Sequence, residues 1–524
     1  MAESRRKTLR NRYKTELCNN RMTFSECEMA ILRHSVDERE AARGEKVANS
    51  PEIIEIIRIV EEFITDKKLV CYGGTAINNI LPKFAQFYDK NIEIPDYDFF
   101  SPTAMEHAKE LANIYARHGY EEVEAKAGMH EGTYKVYVNF LPVADITYLH
   151  PVLFDSLKRE SILLAGIRYA PANYLRMGMF LELSRPDGDV SRWEKVLKRI
   201  NLLNKYHPLT TDAKRCGGID FQRKRTGALS EKIYVLTRDS LIDQGVVFFG
   251  GYAASLYARH STGKSRLTKK TPDFDVLAEN PERCARILKD QLTEHGIRGV
   301  KLIQHTALGE VVPEHIEVVA GKDTIAFLYR PVACHGYNTI QIGNKEVNVA
   351  TIDTMLSFYL AFLYANKPYY DKTRILCMSA FLFQVELQNR LEQRGLLKRF
   401  ATKCYGKQET LEDIRTRKAR RFKELSKTRK SREYEAAFLK YNPSENPDVK
   451  KLPKMTEGDQ TRKPVEKTLV LDDSDEPATT DKKDAATDKK DISGNKKKIS
   501  RKRANKRRRV QSSYYSRKRT QFLV

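Results

Sequence analysis

No apolar stretch in this chain is long enough to cross a bilayer: the longest, Met355 to Ala365, falls well short of the ~20 residues a membrane helix needs. No membrane partner is expected. The basic start MAESRRKTLRNRYK has no apolar run behind it, which excludes a secretory signal. Cysteine is sparse: eight residues with no C-x-x-C pair and no zinc-ligand spacing. They read as reduced intracellular thiols, neither a disulfide frame nor a metal knuckle. Acid is also in short supply, since 69 Asp and Glu face 93 Lys and Arg for a net charge of +24. Such a balance favours a polyanionic partner, with nucleic acid the first candidate. The residues from Ser444 onward hold only 23 basic against 13 acidic side chains, so the body of the chain is basic as well.

With 41% hydrophobic residues in 524, the chain can bury more than one core. Ser50-Pro51 provides a helix start, and Ile53, Ile54, Ile57, Val60, Phe63 and Ile64 follow at helical spacing. An apolar stretch, Lys68 to Tyr72, then runs into Gly73-Gly74, which predicts strand, tight turn and helix start. A short strand around Ile94 to Phe100 carries Asp96 and Asp98. Tyr134 to Ile146 (YKVYVNFLPVADI) reads as one long β-rich strand bearing Asp145.

The chain also matches itself at an offset of 177 residues. Gly73-Gly74 recurs as Gly250-Gly251, Pro95-Asp96-Tyr97-Asp98 as Pro272-Asp273-Phe274-Asp275, and His118-Gly119 as His295-Gly296. The expected fold class is therefore α/β (α+β), built from two tandem units with mixed sheets flanked by helices. A basic helix over Arg192 to Tyr206 separates the units, and a helical region beginning at Thr351 ends in a strongly basic stretch, Arg415 to Arg432. From about Tyr441 the composition turns polar and charged, which predicts a disordered tail. That tail closes with thirteen basic and no acidic residues after Asn495, suited to a nucleic-acid arm or a nuclear import signal.

Alternate residues on a strand share a face, so Asp96 and Asp98 present two carboxylates together while Tyr97 turns away. The Gly-Gly turn leaves backbone N–H groups open to a triphosphate at a helix start. Asp145 sits among apolar neighbours, and a buried carboxylate requires a cation, either a basic side chain or a metal. Three such carboxylates could hold two divalent ions roughly 3.5–4 Å apart for in-line phosphoryl transfer. That chemistry needs no catalytic His or Cys.

These residues resemble a known family. CYGGTAINNILP (71–82), EIPDYDFF (93–100), GTYKVYVNFLPVADIT (132–147) and LELSRPDGDVSRWEKVLKRINLLNK (181–205) look like the catalytic poly(A) polymerase of large nucleocytoplasmic DNA viruses of the mimivirus and asfarvirus type. The resemblance implies the DNA polymerase β nucleotidyltransferase superfamily, ATP as substrate, Mg²⁺ or Mn²⁺ as cofactor and an RNA 3′ end as acceptor. Gly73, Gly74 and Thr75 would then bind the nucleotide phosphates, and Asp96, Asp98 and Asp145 would hold metal and act in catalysis. It further suggests a homodimer. Location is expected inside the cell, at a cytoplasmic viral factory or the nucleus, with packaging in the virion a further option.

The expected organisation is a basic extension (1–50), a catalytic nucleotidyltransferase module (51–210), a second, degenerate module (211–350), a basic helical region (351–440) and a basic tail (441–524). Degeneracy follows from Tyr252 after Gly250-Gly251 and from the position of Asp145. A gapless offset places Lys322 there, anchoring on Pro151 and Pro331 places Ile325 there, and Asp323 is one residue out of phase. Within enzymes the alternatives are CCA-adding, uridylyl-transferring or oligoadenylate-synthesising nucleotidyltransferases. Outside them, a non-catalytic RNA-binding scaffold subunit would share the same basic surface.

Overall fold

The computed structural model describes residues 17–19, 21–89, 91–209, 216, 230–261 and 274–446. Asp273, the first sixteen residues and the terminal basic cluster lie outside the described residues. Those described fall into two compact units, one comprising residues 17–54 and 91–94, the other 55–89 and 95–446. In the smaller unit, helix α1 (Phe24–Ala48) starts with a reciprocal Thr23–Glu26 capping box. Asn49 ties its end to residue 91 by donating to the Asn91 carbonyl at 3.1 Å.

The larger unit begins within α2 (Pro51–Lys67), whose Ile56, Ile59, Val60, Phe63 and Ile64 are buried. The elements then follow as β1 (Val70–Tyr72), α3 (Gly73–Ile80), β2 (Tyr97–Ser101), α4 (Ala104–Arg117), β3 (Val123–Ala127), β4 (Thr133–Val138) and β5 (Leu141–Tyr148). After these come α5 (Pro151–Glu160), β6 (Ile162–Leu164), β7 (Ile167–Tyr169), α6 (Ala172–Leu183) and α7 (Trp193–Tyr206). The expected single strand over 134–146 is in fact the hairpin β4–β5. Asn139 and Phe140 take left-handed backbone with φ of 49° and 65°, the reversal that a two-residue hairpin turn requires. Asp96 likewise precedes β2 instead of lying on it.

The second repeat contains α8 (Ser230–Asp243), β8 (Val247–Phe248), α9 (Gly251–Tyr257), β9 (Phe274–Leu277), α10 (Pro281–Glu294), β10 (Val300–His305), β11 (His315–Ala320) and β12 (Asp323–Tyr329). It continues through β13 (His335–Ile342), β14 (Lys345–Ala350), α11 (Ile352–Phe362) and α12 (Lys372–Gln388); beyond it lie β15 (Cys404–Tyr405), α13 (Leu411–Leu425), α14 (Arg432–Phe438) and β16 (Lys440–Tyr441).

Two mixed eight-stranded sheets result, ordered β16-β3-β4-β5-β2-β1-β7-β6 and β10-β11-β12-β9-β8-β14-β13-β15. Strip one edge strand from each, and the orders coincide strand for strand. The pairings agree as well: β1 and β8 run antiparallel to β2 and β9, which run parallel to β5 and β12. The two repeats meet where α6 packs on α11, a mostly apolar helix buried at every position, whose one charge, Asp353, is paired with Arg399.

The tail does not begin at 441. Tyr441 is paired with Ala125 on β3, and its hydroxyl donates to Asn113 at 2.7 Å. The thiol expectation also changes: Cys18–Cys27, Cys216–Cys377 and Cys334–Cys404 are disulfides, and only Cys71 and Cys284 are free and buried. Their Cα separations of 5.1–5.5 Å suit a bridge. Partners 161 and 70 residues apart leave no spacing signature in the sequence. Among the described residues no helix is long and apolar enough to cross a membrane.

Candidate active site

Strand β1 delivers the chain to Gly73, whose φ of +75° is costly for any residue with a Cβ. A Cβ there would also collide with the Asp98 carboxylate, and one on Gly74 would lie 2.7 Å from the Tyr88 hydroxyl and 3.1 Å from the Arg199 guanidinium. Both glycines thus serve close approach, and they open the eight-residue helix α3 with its N–H groups unspent. Thr75 is buried. Its hydroxyl donates to the Asp96 carbonyl at 2.6 Å, so its proton fixes the segment that carries the aspartates.

Asp98 on β2 is in register with Asp145 on the parallel strand β5, which puts both side chains on one face. Burial, followed by the charges of Asp96 and Asp145, pushes the Asp98 carboxyl up to about 7, against the opposing pull of Lys135 and Arg199. Lys135, opposite Asp145 on β4, donates to Asp145 Oδ2 at 2.5 Å. Burial pulls the Lys135 ammonium down, but the hydrogen bond and charge of Asp145 outweigh it and its pKa is raised. Asp145 Oδ1 is buried and has no hydrogen-bond partner. Tyr97 points the opposite way and donates to Glu61 on α2.

This donor set fits a hard divalent cation: all-oxygen ligands, mutual repulsion that a positive charge would relieve, and one orphaned buried oxygen. The oxygens of Asp96, Asp98 and Asp145 do not all lie within 4.8 Å of one another. Among the described residues, only Asp187, Cys334 and Cys404 form a three-residue group that close, and the two cysteines there are already bridged.

The sequence reading missed two cations at this site, Lys135 and Arg199. Arg199, on α7, donates to the Tyr88 hydroxyl at 2.6 Å and lies 4.9 Å from the Phe87 ring centre. Its helix had been noted only as basic and periodic. What fixes α7 is Arg176, fully buried, which donates to Asn204, Asn173 and the His207 carbonyl. Burial pushes this guanidinium down to about 10, and the partial negative charge at the C-terminal end of α7 compensates in part. His207 in turn is 2.8 Å from the Ile80 carbonyl at the end of α3, so the end of α7 is tied to the end of α3.

In the second repeat the same frame carries other chemistry. A Cβ on Gly250 would collide with the buried Asp275, as at Gly73. Opposite Asp275, however, stands Phe327. The expected occupants, Lys322 and Ile325, are displaced because five more residues separate the paired positions in this repeat. Asp323 lies at the β11–β12 turn, paired with Ala320. Phe327 belongs to an aromatic cluster with His305, His315 and Tyr369.

Both repeats thus share one mixed-sheet α/β frame, and only the first sets a second aspartate across its ladder. Residues 58–189 match the family model described as poly(A) polymerase catalytic subunit. Over 169 residues the chain is 37% identical to a protein of African swine fever virus (isolate Tick/Malawi/Lil 20-1/1983) named as a poly(A) polymerase catalytic subunit, covering 31% of this chain and 35% of the relative. A protein of the same name from Acanthamoeba polyphaga mimivirus is 31% identical over 211 residues, 39% of this chain and 35% of the relative. The chain thus matches about a third of the length of these relatives. The solved Megavirus polyadenylate synthase shares the fold at a TM-score of 0.68 and 18% identity, covering 83% of this chain and 90% of that one.

Proposed function

We propose that the chain is a template-independent polynucleotide adenylyltransferase that adds AMP from ATP to RNA 3′ ends, with the first repeat as its catalytic centre. The observation that carries this reading is Asp98 in register with Asp145 beneath the Gly73-Gly74 turn, with Asp145 Oδ1 buried and unpaired. In the transfer, the 3′-hydroxyl gives up its proton to solvent as its oxygen bonds to the α-phosphorus of ATP, the bond to the bridging oxygen breaks, and pyrophosphate leaves with the electron pair. Asp96, Asp98 and Asp145 would hold Mg²⁺ or Mn²⁺, which supplies charge neutralisation and a more acidic hydroxyl when bound.

The chain's own groups do the positioning. The N–H groups at the start of α3 and the Arg199 guanidinium converge beside Gly74 to grip the triphosphate. Thr75 holds Asp96 in place by its backbone, and Lys135 holds one oxygen of Asp145. The match of the first repeat to poly(A) polymerase catalytic subunits supports adenylyl transfer over other nucleotidyl transfers. Primer extension on A-rich RNA with each NTP separately tests it. Long ATP-dependent tails that are lost in Asp96→Ala are expected; preference for UTP, or products of two or three additions, would reject it.

A further inference from the structure

The open face of the first sheet carries a row of side chains that runs from the carboxylates out to the sheet edge. Strand register aligns one residue from each of five neighbouring strands: Lys440 on β16, Lys126 on β3, Lys135 on β4, Asp145 on β5 and Asp98 on β2. Residues paired in this way point to the same side of a sheet. The other side is the packed one, where Val123, Ala125, Val136, Val138, Ala144 and Ile146 are buried. On the open side, the side chains of Lys126 and Lys135 keep 42% and 35% of their surface accessible, and Lys440 is exposed.

Strands lie ~4.8 Å apart, so the three lysines span about 10 Å and one further step reaches the carboxylates. Tyr137 stands on the same face two residues beyond Lys135, half-buried, with the Lys126 ammonium 4.1 Å from its ring centre. Like charges on adjacent strands repel. Here Lys126 has Glu124 at 3.1 Å, while Lys440 extends the positive row to the sheet edge. A lysine row with an interposed aromatic ring matches the chemistry of a single-stranded nucleic acid, whose phosphates take the cations and whose bases stack on the ring whatever their sequence.

We infer that this row is the track along which the 3′-terminal segment of the RNA reaches the carboxylates, with Lys440 and Lys126 on its phosphates and Tyr137 under a base. The inference rests on the RNA-extension reading above. The span accommodates roughly two or three phosphates. Lys135, at the junction, serves both the track and Asp145. The outermost lysine comes from the C-terminal segment, so the catalytic sheet owes part of its acceptor site to residues beyond the second repeat.

The test uses the full chain carrying Lys126→Ala and Lys440→Ala together, leaving the transfer centre intact. Measured with an A-rich RNA oligonucleotide, the expected result is an RNA KM raised about tenfold and a binding slope against log salt shallower by about 1.4, the loss of two single-strand phosphate contacts. The ATP KM and the kcat at saturating RNA should stay within about twofold, and the Lys126→Arg, Lys440→Arg pair should restore RNA affinity. Tyr137→Ala should weaken RNA binding about tenfold and Tyr137→Phe should not. An unchanged RNA KM and salt slope in a double variant that still extends RNA would overturn the track, as would a shift confined to the ATP KM, which would assign the row to the triphosphate. Failure of the unmodified chain to extend any RNA overturns the underlying reading instead, while equilibrium binding of the same RNA to the same variants still judges the track.

Discussion

The two repeats share a strand order and a glycine packed against an aspartate, but in the first that aspartate faces Asp145 and in the second it faces Phe327. The glycine–aspartate contact is thus a property of the frame, retained because strand and turn approach too closely for a Cβ. The carboxylate across the ladder is a property of the chemistry. Where it is absent, its place is filled from an apolar and aromatic repertoire that includes His315, whose imidazole burial pushes down to about 4. A Gly-Gly turn with D-x-D therefore marks this frame, and under the proposed function the third carboxylate separates a transfer centre from a scaffold.

Four measurements press on that contrast. Asp145→Asn should lower kcat for extension about a thousandfold, whereas Asp275→Asn should leave it within about twofold; equal losses would show that both repeats take part in transfer. Gly73→Ala puts a Cβ into left-handed backbone and against Asp98, so kcat/KM should fall about a hundredfold through misplacement of the carboxylate. Gly250→Ala, where φ is −85°, adds only overpacking against Asp275 and should cost roughly 1–3 kcal/mol of stability, read as a lower Tm with activity per folded molecule preserved.

Smaller effects follow. Arg199→Ala should raise the ATP KM about tenfold, the weight of a charge-assisted hydrogen bond, with Arg199→Lys intermediate because an ammonium lacks the planar fork. The last concerns pH. Asp98 titrates near 7 in the folded chain instead of near 4, so the folded state binds its proton more tightly than the unfolded state does. Without divalent ions, that contribution to stability is complete below about pH 4 and is lost as pH rises towards and through 7. Melting in a chelator should show Tm falling across that window, Asp98→Asn should flatten the fall, and added Mg²⁺ should reverse it. The second repeat offers Asp275 no comparable carboxylate across its ladder, so a Mg²⁺ response that persists in Asp98→Asn would break the contrast.

Much of this was legible in the sequence. The repeat showed because tight packing demands the same residues at the same spacing: Gly73 over Asp98, Gly250 over Asp275. The family-like motifs clustered for the same reason. What stayed hidden depends on length and on distance along the chain. Phe327 could not be aligned, since five inserted residues move the register while leaving the strand's apolar character unchanged. The Asn139-Phe140 reversal was hidden because Phe140 is an unusual residue for left-handed backbone. Arg199 resembled any other charge on an amphipathic helix. Lys135 is a lone cation in the run Tyr134 to Ile146, and only the β4–β5 pairing brings it opposite Asp145.

The edge strand β16 has a consequence for how the molecule is made. Lys109 meets Glu435, 326 positions further along the chain, and β16 pairs with β3 beside that contact. Contacts of such long sequence separation form slowly and late, and a chain emerging from the ribosome would expose the unpaired β3 edge throughout synthesis of the second repeat. The first sheet is thus finished only by residues made after the whole of the second repeat. A chain that stopped after its second repeat would hold every carboxylate of the centre and still leave that sheet one strand short.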